Sequence, residues 1–211
     1  MQPNPEGFLF PQINQARCNH CGACYGKCPS AQLEHGNVQV QHGGLAPAKS
    51  LSTATAKPRY FALSLKPDFK NLYGCATTSA AFRISYAFIK DGGVVCGCRF
   101  NYETAEAEHA IATCVDELKA FCGSKFVQSN KHDVMVQVRT LLQSGRKVLF
   151  IGTPCEVSGL KQILTPEEQV QLFTIDLICH GVPDPKSLKL YLNDLTAQIG
   201  PIHDLNFRAG Q

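Results

Sequence analysis

Lys147-Val-Leu-Phe-Ile-Gly-Thr-Pro-Cys155 is a near-continuous apolar run that breaks at Gly152 and gives way to proline. Apolar residues without polar alternation predict a strand covered on both faces. Pro154 suits the first turn of a helix, and Val157, Leu160 and Leu164 then share one side of it. Gln171-Leu-Phe-Thr-Ile-Asp-Leu-Ile178 predicts a second strand, and Asp184-Pro185 predicts the N-cap and first turn of a helix through Ile199. Strand, helix, strand, helix at this spacing is a parallel βαβ unit, which places the region in the α/β class.

The alternation extends upstream. Asp133 can cap a helix with Val134, Val138, Leu141 and Leu142 on its apolar face, stopped by Gly145. Thr104 to Ala120 carries Ile111, Val115 and Leu118, with Phe121 just beyond, near helical spacing, which predicts a helix there. Val94 to Phe100 reads as a strand, Thr78 to Lys90 as a helix closed by Gly92-Gly93, and Tyr60 to Leu65 as a further strand. Gly36 to Pro58 is polar, with Gly43-Gly44, Pro47 and Ser/Thr/Ala-rich stretches, and reads as a linker. Gly7-Phe-Leu-Phe-Pro11 looks like a short strand between turns.

The cysteines carry the chemistry. Cys155 follows one predicted strand at the opening of a helix, and Cys179 follows the other in Asp176-Leu-Ile-Cys-His-Gly181. Parallel strands end on one edge, the edge where open α/β sheets bind ligands. A helix N-terminus favours the thiolate that metal binding requires. Two cysteines at matching strand ends favour a ligand role over simple burial, although buried packing is the commoner fate of a cysteine.

Near the start stands Cys18-Asn-His-Cys21-Gly-Ala-Cys24-Tyr-Gly-Lys-Cys28-Pro29. This C-x₂-C-x₂-C-x₃-C-P spacing is that of bacterial ferredoxins, whose thiolates hold a cubane [4Fe–4S] cluster. Structural zinc usually sets two knuckles well apart, which this spacing does not. In two-cluster ferredoxins the fourth cysteine ligates the other cluster. No second run occurs in this sequence, so three arrangements stay open. Cys18, Cys21, Cys24 and Cys28 close on one cluster, another cysteine such as Cys75 helps, or part of the ferredoxin unit is missing. Cys96 and Cys98 share a strand face, and Cys114 and Cys122 fall on or after an apolar stripe; all four read as core packing.

Composition bounds the function. The 211 residues suffice for one α/β domain and a small module. A net charge of +3 is too small and dispersed for a nucleic-acid partner. No apolar run is long enough to span a membrane, and the first residues lack the pattern of a signal peptide. Eleven cysteines, four of them in ferredoxin spacing and the rest scattered, suit the reducing cytoplasm better than a disulfide scaffold.

Lys147 to Cys155, Asp176-Leu-Ile-Cys-His-Gly-Val-Pro183, Gly92-Gly-Val-Val-Cys-Gly97 and Gly123-Ser-Lys-Phe-Val-Gln-Ser129 form an ordered set. It resembles the coenzyme F-420 hydrogenase/dehydrogenase beta-subunit family, over most of the chain from about Tyr60 to Arg208. The resemblance implies an oxidoreductase that moves electrons between ferredoxin-type clusters, a further cubane cluster and FAD, and then to a deazaflavin or another organic acceptor. It implies that Cys155 and Cys179 bind the inner cluster, and that Lys125, Ser129 and Thr153 contact the cofactor. A redox partner protein or subunit, ferredoxin-like or of hydrogenase/dehydrogenase type, follows from it as well. No catalytic residue is assigned.

Three departures qualify the likeness. The C-terminal Cys-x-x-Cys of relatives is absent, Thr77-Thr-Ser-Ala-Ala81 stands where relatives often have Ser-Gly-Gly, and the first ferredoxin run is not in the sequence. The expectation is therefore a fragment: a partial ferredoxin-like [4Fe–4S] half-module over 1–35, a linker over 36–58, and an α/β domain over 59–211 that is incomplete at its C-terminus. The rival readings are a cluster-only electron carrier without flavin and an inactive truncated remnant.

Overall fold

The computed structural model describes residues 1–27, 38–41, 44–47, 61 and 79–207. Cys28, Cys75 and nearly all of the strand expected over 60–65 lie outside the described residues. The N-terminal segment contributes β1 (Gln2–Pro3) and β2 (Leu9–Phe10), paired antiparallel, and a single helical turn, α1 (Ala23–Gly26). Within the stretch read as a linker, β3 (Val38–Gln41) and β4 (Gly44–Pro47) form an antiparallel hairpin.

The remaining elements are α2 (Ser79–Lys90), β5 (Val94–Asn101), β6 (Glu106–Ala112), α3 (Val134–Gln143), β7 (Val148–Gly152), α4 (Pro154–Ile163), β8 (Leu172–Asp176) and α5 (Pro185–Ile199). They build a four-stranded mixed sheet in the order β6-β5-β7-β8. β5 pairs parallel with β7 and β7 with β8, while β6 runs antiparallel to β5. The βαβ unit expected from the sequence is β7-α4-β8.

Both faces of the central strands are covered, which is why their sequences lack polar alternation. Cys96, Val148 and Phe150 pack with Val134, Val138 and Leu142 of α3 and Val157 and Leu160 of α4. Val95 and Leu149 point the other way and pack with Phe82 of α2 and with Leu118. Gly93 lies so close to α2 that a Cβ there would come within 2.4 Å of the Phe88 ring and 2.9 Å of its carbonyl oxygen. Glycine is thus required where α2 turns into β5.

The region 104–120 is not the helix its periodicity predicts. Its first half is β6, and Glu117–Phe121 is a short 3₁₀ turn. Glutamate and alanine favour helix locally, but seven register pairs with β5 outweigh that preference. On the strand, Glu108 is free to meet Arg99 at 2.7 Å and Glu106 to approach Lys189 at 3.6 Å. Cys114 is accordingly exposed rather than packed, whereas Cys122 packs against the core but is disulfide-bonded rather than a free packing thiol. The last strand is also shorter than predicted: it ends at Asp176, leaving Ile178 91% exposed.

Helix starts follow local chemistry. Asp184 accepts hydrogen bonds from the Lys186 and Ser187 N–H groups, capping α5 ahead of Pro185. At α4 the Thr153 N–H donates to Glu156 Oε2 at 2.8 Å, the reciprocal half of a capping box.

Candidate functional site: the carboxyl edge of the sheet

β7 and β8 are in register with Gly152 opposite Asp176. Cys155 and Cys179 each lie three residues past those partners, beyond the carboxyl ends of adjacent parallel strands, Cys155 in α4 and Cys179 in the segment after β8. Both cysteines are exposed. Cys155 stands in the first turn of α4, and its sulfur lies 3.1 Å from the Thr153 hydroxyl. Cys179 Sγ accepts a hydrogen bond from the Gly181 N–H at 3.4 Å. At the end of β8, Asp176 Oδ2 is buried without a hydrogen-bond partner among the described residues, and burial raises its carboxyl above the ordinary range.

In the ferredoxin run, Cys21 and Cys24 are exposed and Cys18 partly so. The backbone around them bends sharply: His20 and Gly22 take φ of +54° and +72°, and α1 starts directly after Gly22. Exposed thiols on a tight turn, and two sulfurs with hydrogen-bonding neighbours, are the donor chemistry an iron–sulfur cluster takes. No group of three or more His, Cys, Asp or Glu side chains converges on one point among the described residues. The described sulfurs of the run, Cys18, Cys21 and Cys24, are therefore accessible but not gathered, and the edge offers two.

Cys96 and Cys98 on β5 contrast with these. Cys96 is fully buried, and burial pushes its thiol up to about 12. Burial likewise raises Cys98. Such thiols stay protonated and inert, in line with a packing role.

Behind Cys155 lies a polar cluster that periodicity concealed by suggesting a helix over 104–120. His109 is buried, stacked on Phe150 with ring centroids 5.3 Å apart. Its Nε2 lies 3.1 Å from the Ile151 carbonyl, which only accepts, so Nε2 carries the proton. Nδ1 then accepts from the Ser129 hydroxyl at 2.7 Å. Lys131 donates to Glu156 Oε1 at 2.5 Å and to the Ser129 carbonyl at 2.8 Å. Glu156 was recognisable in principle, since Thr-x-x-Glu before an apolar stripe marks a capping box. His109 and Lys131 carry no such local mark.

Of the residues expected at the cofactor, Ser129 and Thr153 are drawn together, because His109 joins Ser129 to the strand that leads into Thr153. Lys125 is partly buried and donates to the Ala120 and Cys122 carbonyls at 3.2 and 2.8 Å. Burial lowers its ammonium below the usual lysine range. Gln128 was not anticipated: it accepts from the Leu9 N–H at 2.6 Å and donates back to the Leu9 carbonyl. This tie docks the N-terminal hairpin on the same segment. His180 is exposed and His20 faces solvent.

The polar cluster makes stability depend on pH. Burial first, and Lys131 second, push the His109 imidazole down to about 4. The unfolded chain therefore takes up a proton near 6.5 that the folded chain refuses. Stability should fall by on the order of 1–3 kcal/mol as pH drops from about 6.5 toward 4, then level off. Burial opposes the Glu156 charge, but Lys131 and His109 outweigh it and leave this carboxyl below 4.5; its protonation removes further stability at lower pH. Urea midpoints at pH 7 and pH 5 measure the slope. A flat profile would show His109 to be solvated or already charged.

Exposed thiols at the carboxyl edge of a mixed α/β sheet, behind a ferredoxin-spaced run, offer the donor type that iron–sulfur proteins use. Comparison with known families agrees. Residues 145–211 match the family model for the C-terminal part of the coenzyme F420 hydrogenase/dehydrogenase beta subunit, and residues 10–35 match that of a 4Fe-4S binding domain. The resemblance read from the sequence is borne out over these two segments. No curated protein matches the chain.

Proposed function

We propose that this chain is an iron–sulfur flavoprotein oxidoreductase subunit, passing electrons between [4Fe–4S] clusters and FAD and on to a deazaflavin or another organic acceptor. The observation that carries the reading is the paired placement of Cys155 and Cys179, exposed at equivalent offsets beyond register partners. The two family matches, each to a segment with its own cysteines, support it.

In this reading residues 1–35 form the ferredoxin-type module, 36–58 a linker and 59–211 the flavin and iron–sulfur domain. Cys18, Cys21, Cys24 and Cys28 serve the first cluster, and Cys155 and Cys179 the inner one. Lys125 and Thr153 offer N–H and O–H donors to a flavin. The Ser129 hydroxyl proton is committed to His109, so Ser129 would meet a flavin through a lone pair or its backbone. FAD, when bound, would supply the exchange between one-electron and two-electron chemistry. No helix among the described residues is long and apolar enough to cross a membrane. The partner in this reading is a redox protein or subunit, and the compartment a reducing cytoplasm. Exposed Ile178, Leu190 and Tyr191 suit contact with such a partner.

Anaerobic reconstitution followed by iron, sulfide and flavin analysis tests the reading. Flavin retained together with iron is the expected result. Iron without flavin would make the chain a cluster-only carrier, and neither would make it an inactive remnant.

A further inference from the structure

Lys131 belongs to no motif, yet it joins the two halves of the candidate site. Its ammonium group donates to Glu156 Oε1 and to the Ser129 carbonyl. The second Glu156 oxygen accepts from the Thr153 N–H, closing the first turn of α4 around Cys155. The Ser129 segment is fixed in turn. Asn130 exchanges backbone hydrogen bonds with Ala107 and His109 of β6, and the Ser129 hydroxyl donates to His109. Gln128, one residue earlier, holds the N-terminal hairpin. The Lys131 and Glu156 side chains are only 22% and 17% exposed, so this ion pair is not a screened surface contact.

We propose that Lys131 is a positioning residue for the inner site: through Glu156 it holds the α4 turn that presents Cys155, and its charge offsets the carboxylate of the residue next to Cys155 in the chain. The inference rests on the reading of Cys155 as a cluster ligand. Without Lys131, the Glu156 side chain would lose its tether to the Ser129 segment, its hydrogen bond to the Thr153 N–H would loosen, and its negative charge, one residue from Cys155, would lose its lysine partner. Adding an electron to a cluster beside that charge is harder, so the cluster potential falls. Arginine restores the cation, whereas methionine matches only the length.

The test compares the full chain with Lys131→Met and Lys131→Arg. Amide hydrogen exchange over residues 153–158 is the first readout and needs no cluster. Lys131→Met should speed exchange there on the order of tenfold, while residues 134–143 keep their protection and Lys131→Arg behaves as the parent. Unchanged exchange at 153–158, or equal loss in both regions, would overturn the positioning role. The second readout is the midpoint potential of the reconstituted signal that Cys155→Ser abolishes. It should be lower in Lys131→Met and restored in Lys131→Arg; the same potential in all three would overturn the electrostatic role. If the parent chain shows no Cys155-dependent signal, the cluster reading itself fails, and the exchange result still decides whether Lys131 holds the turn.

Discussion

Serine at both Cys155 and Cys179 is expected to remove about four irons per chain from the reconstituted protein and to leave the iron of the ferredoxin run in place. A serine hydroxyl is far less acidic than a thiol and a poor partner for iron at neutral pH, so the exchange removes ligand chemistry at little steric cost. Both residues are exposed at the edge of the sheet, so neither change should disturb the core. Serine at Cys18, Cys21 and Cys24 should remove the complementary share. Cys96→Ser is the control for non-specific loss, because that thiol lies in the core and stays protonated. If both sets of variants lose the same iron, the two places are one site and the assignment of the edge is wrong.

Phe150→Ala should cost about 3–5 kcal/mol, the largest single-residue loss of stability expected among the described residues. The ring is fully buried in the middle of β7, between the α3 and α4 side chains, and forms the stacking face for His109. Truncation leaves a cavity beside a histidine whose neutral form depends on dryness. Water entering there would relax the suppression of its charge as well. Phe173 on β8 is 47% exposed, and its truncation should cost about 1 kcal/mol. Urea unfolding of both variants measures the difference. Equal losses would mean that β7 is not the centre of the core.

Why some of this could be read in advance is a matter of range. The β7-α4-β8 unit is written in contiguous apolar runs, and α5 announces itself through Asp184 and Pro185, because burial on both faces and capping leave local marks. β6 is different. Glu106 to Ala112 prefers helix by composition, and only pairing with β5 makes it a strand. Reading it as a helix hid His109, whose role depends on Ser129 and Ile151, 20 and 42 residues away in sequence. The thiols of the site were legible because ligand spacing and strand ends are sequence features. Lys131 and Gln128 were not, since their partners stand 25 and 119 residues away.

The central claim is that two separate sets of thiols serve two electron-carrying centres in one chain. A redox titration of the anaerobically reconstituted protein, followed by low-temperature electron paramagnetic resonance, tests it most directly. Two reducible signals are expected, one abolished by serine at Cys155 and Cys179 and the other by serine at Cys18, Cys21 and Cys24. A single signal that disappears in both variants would contradict the account.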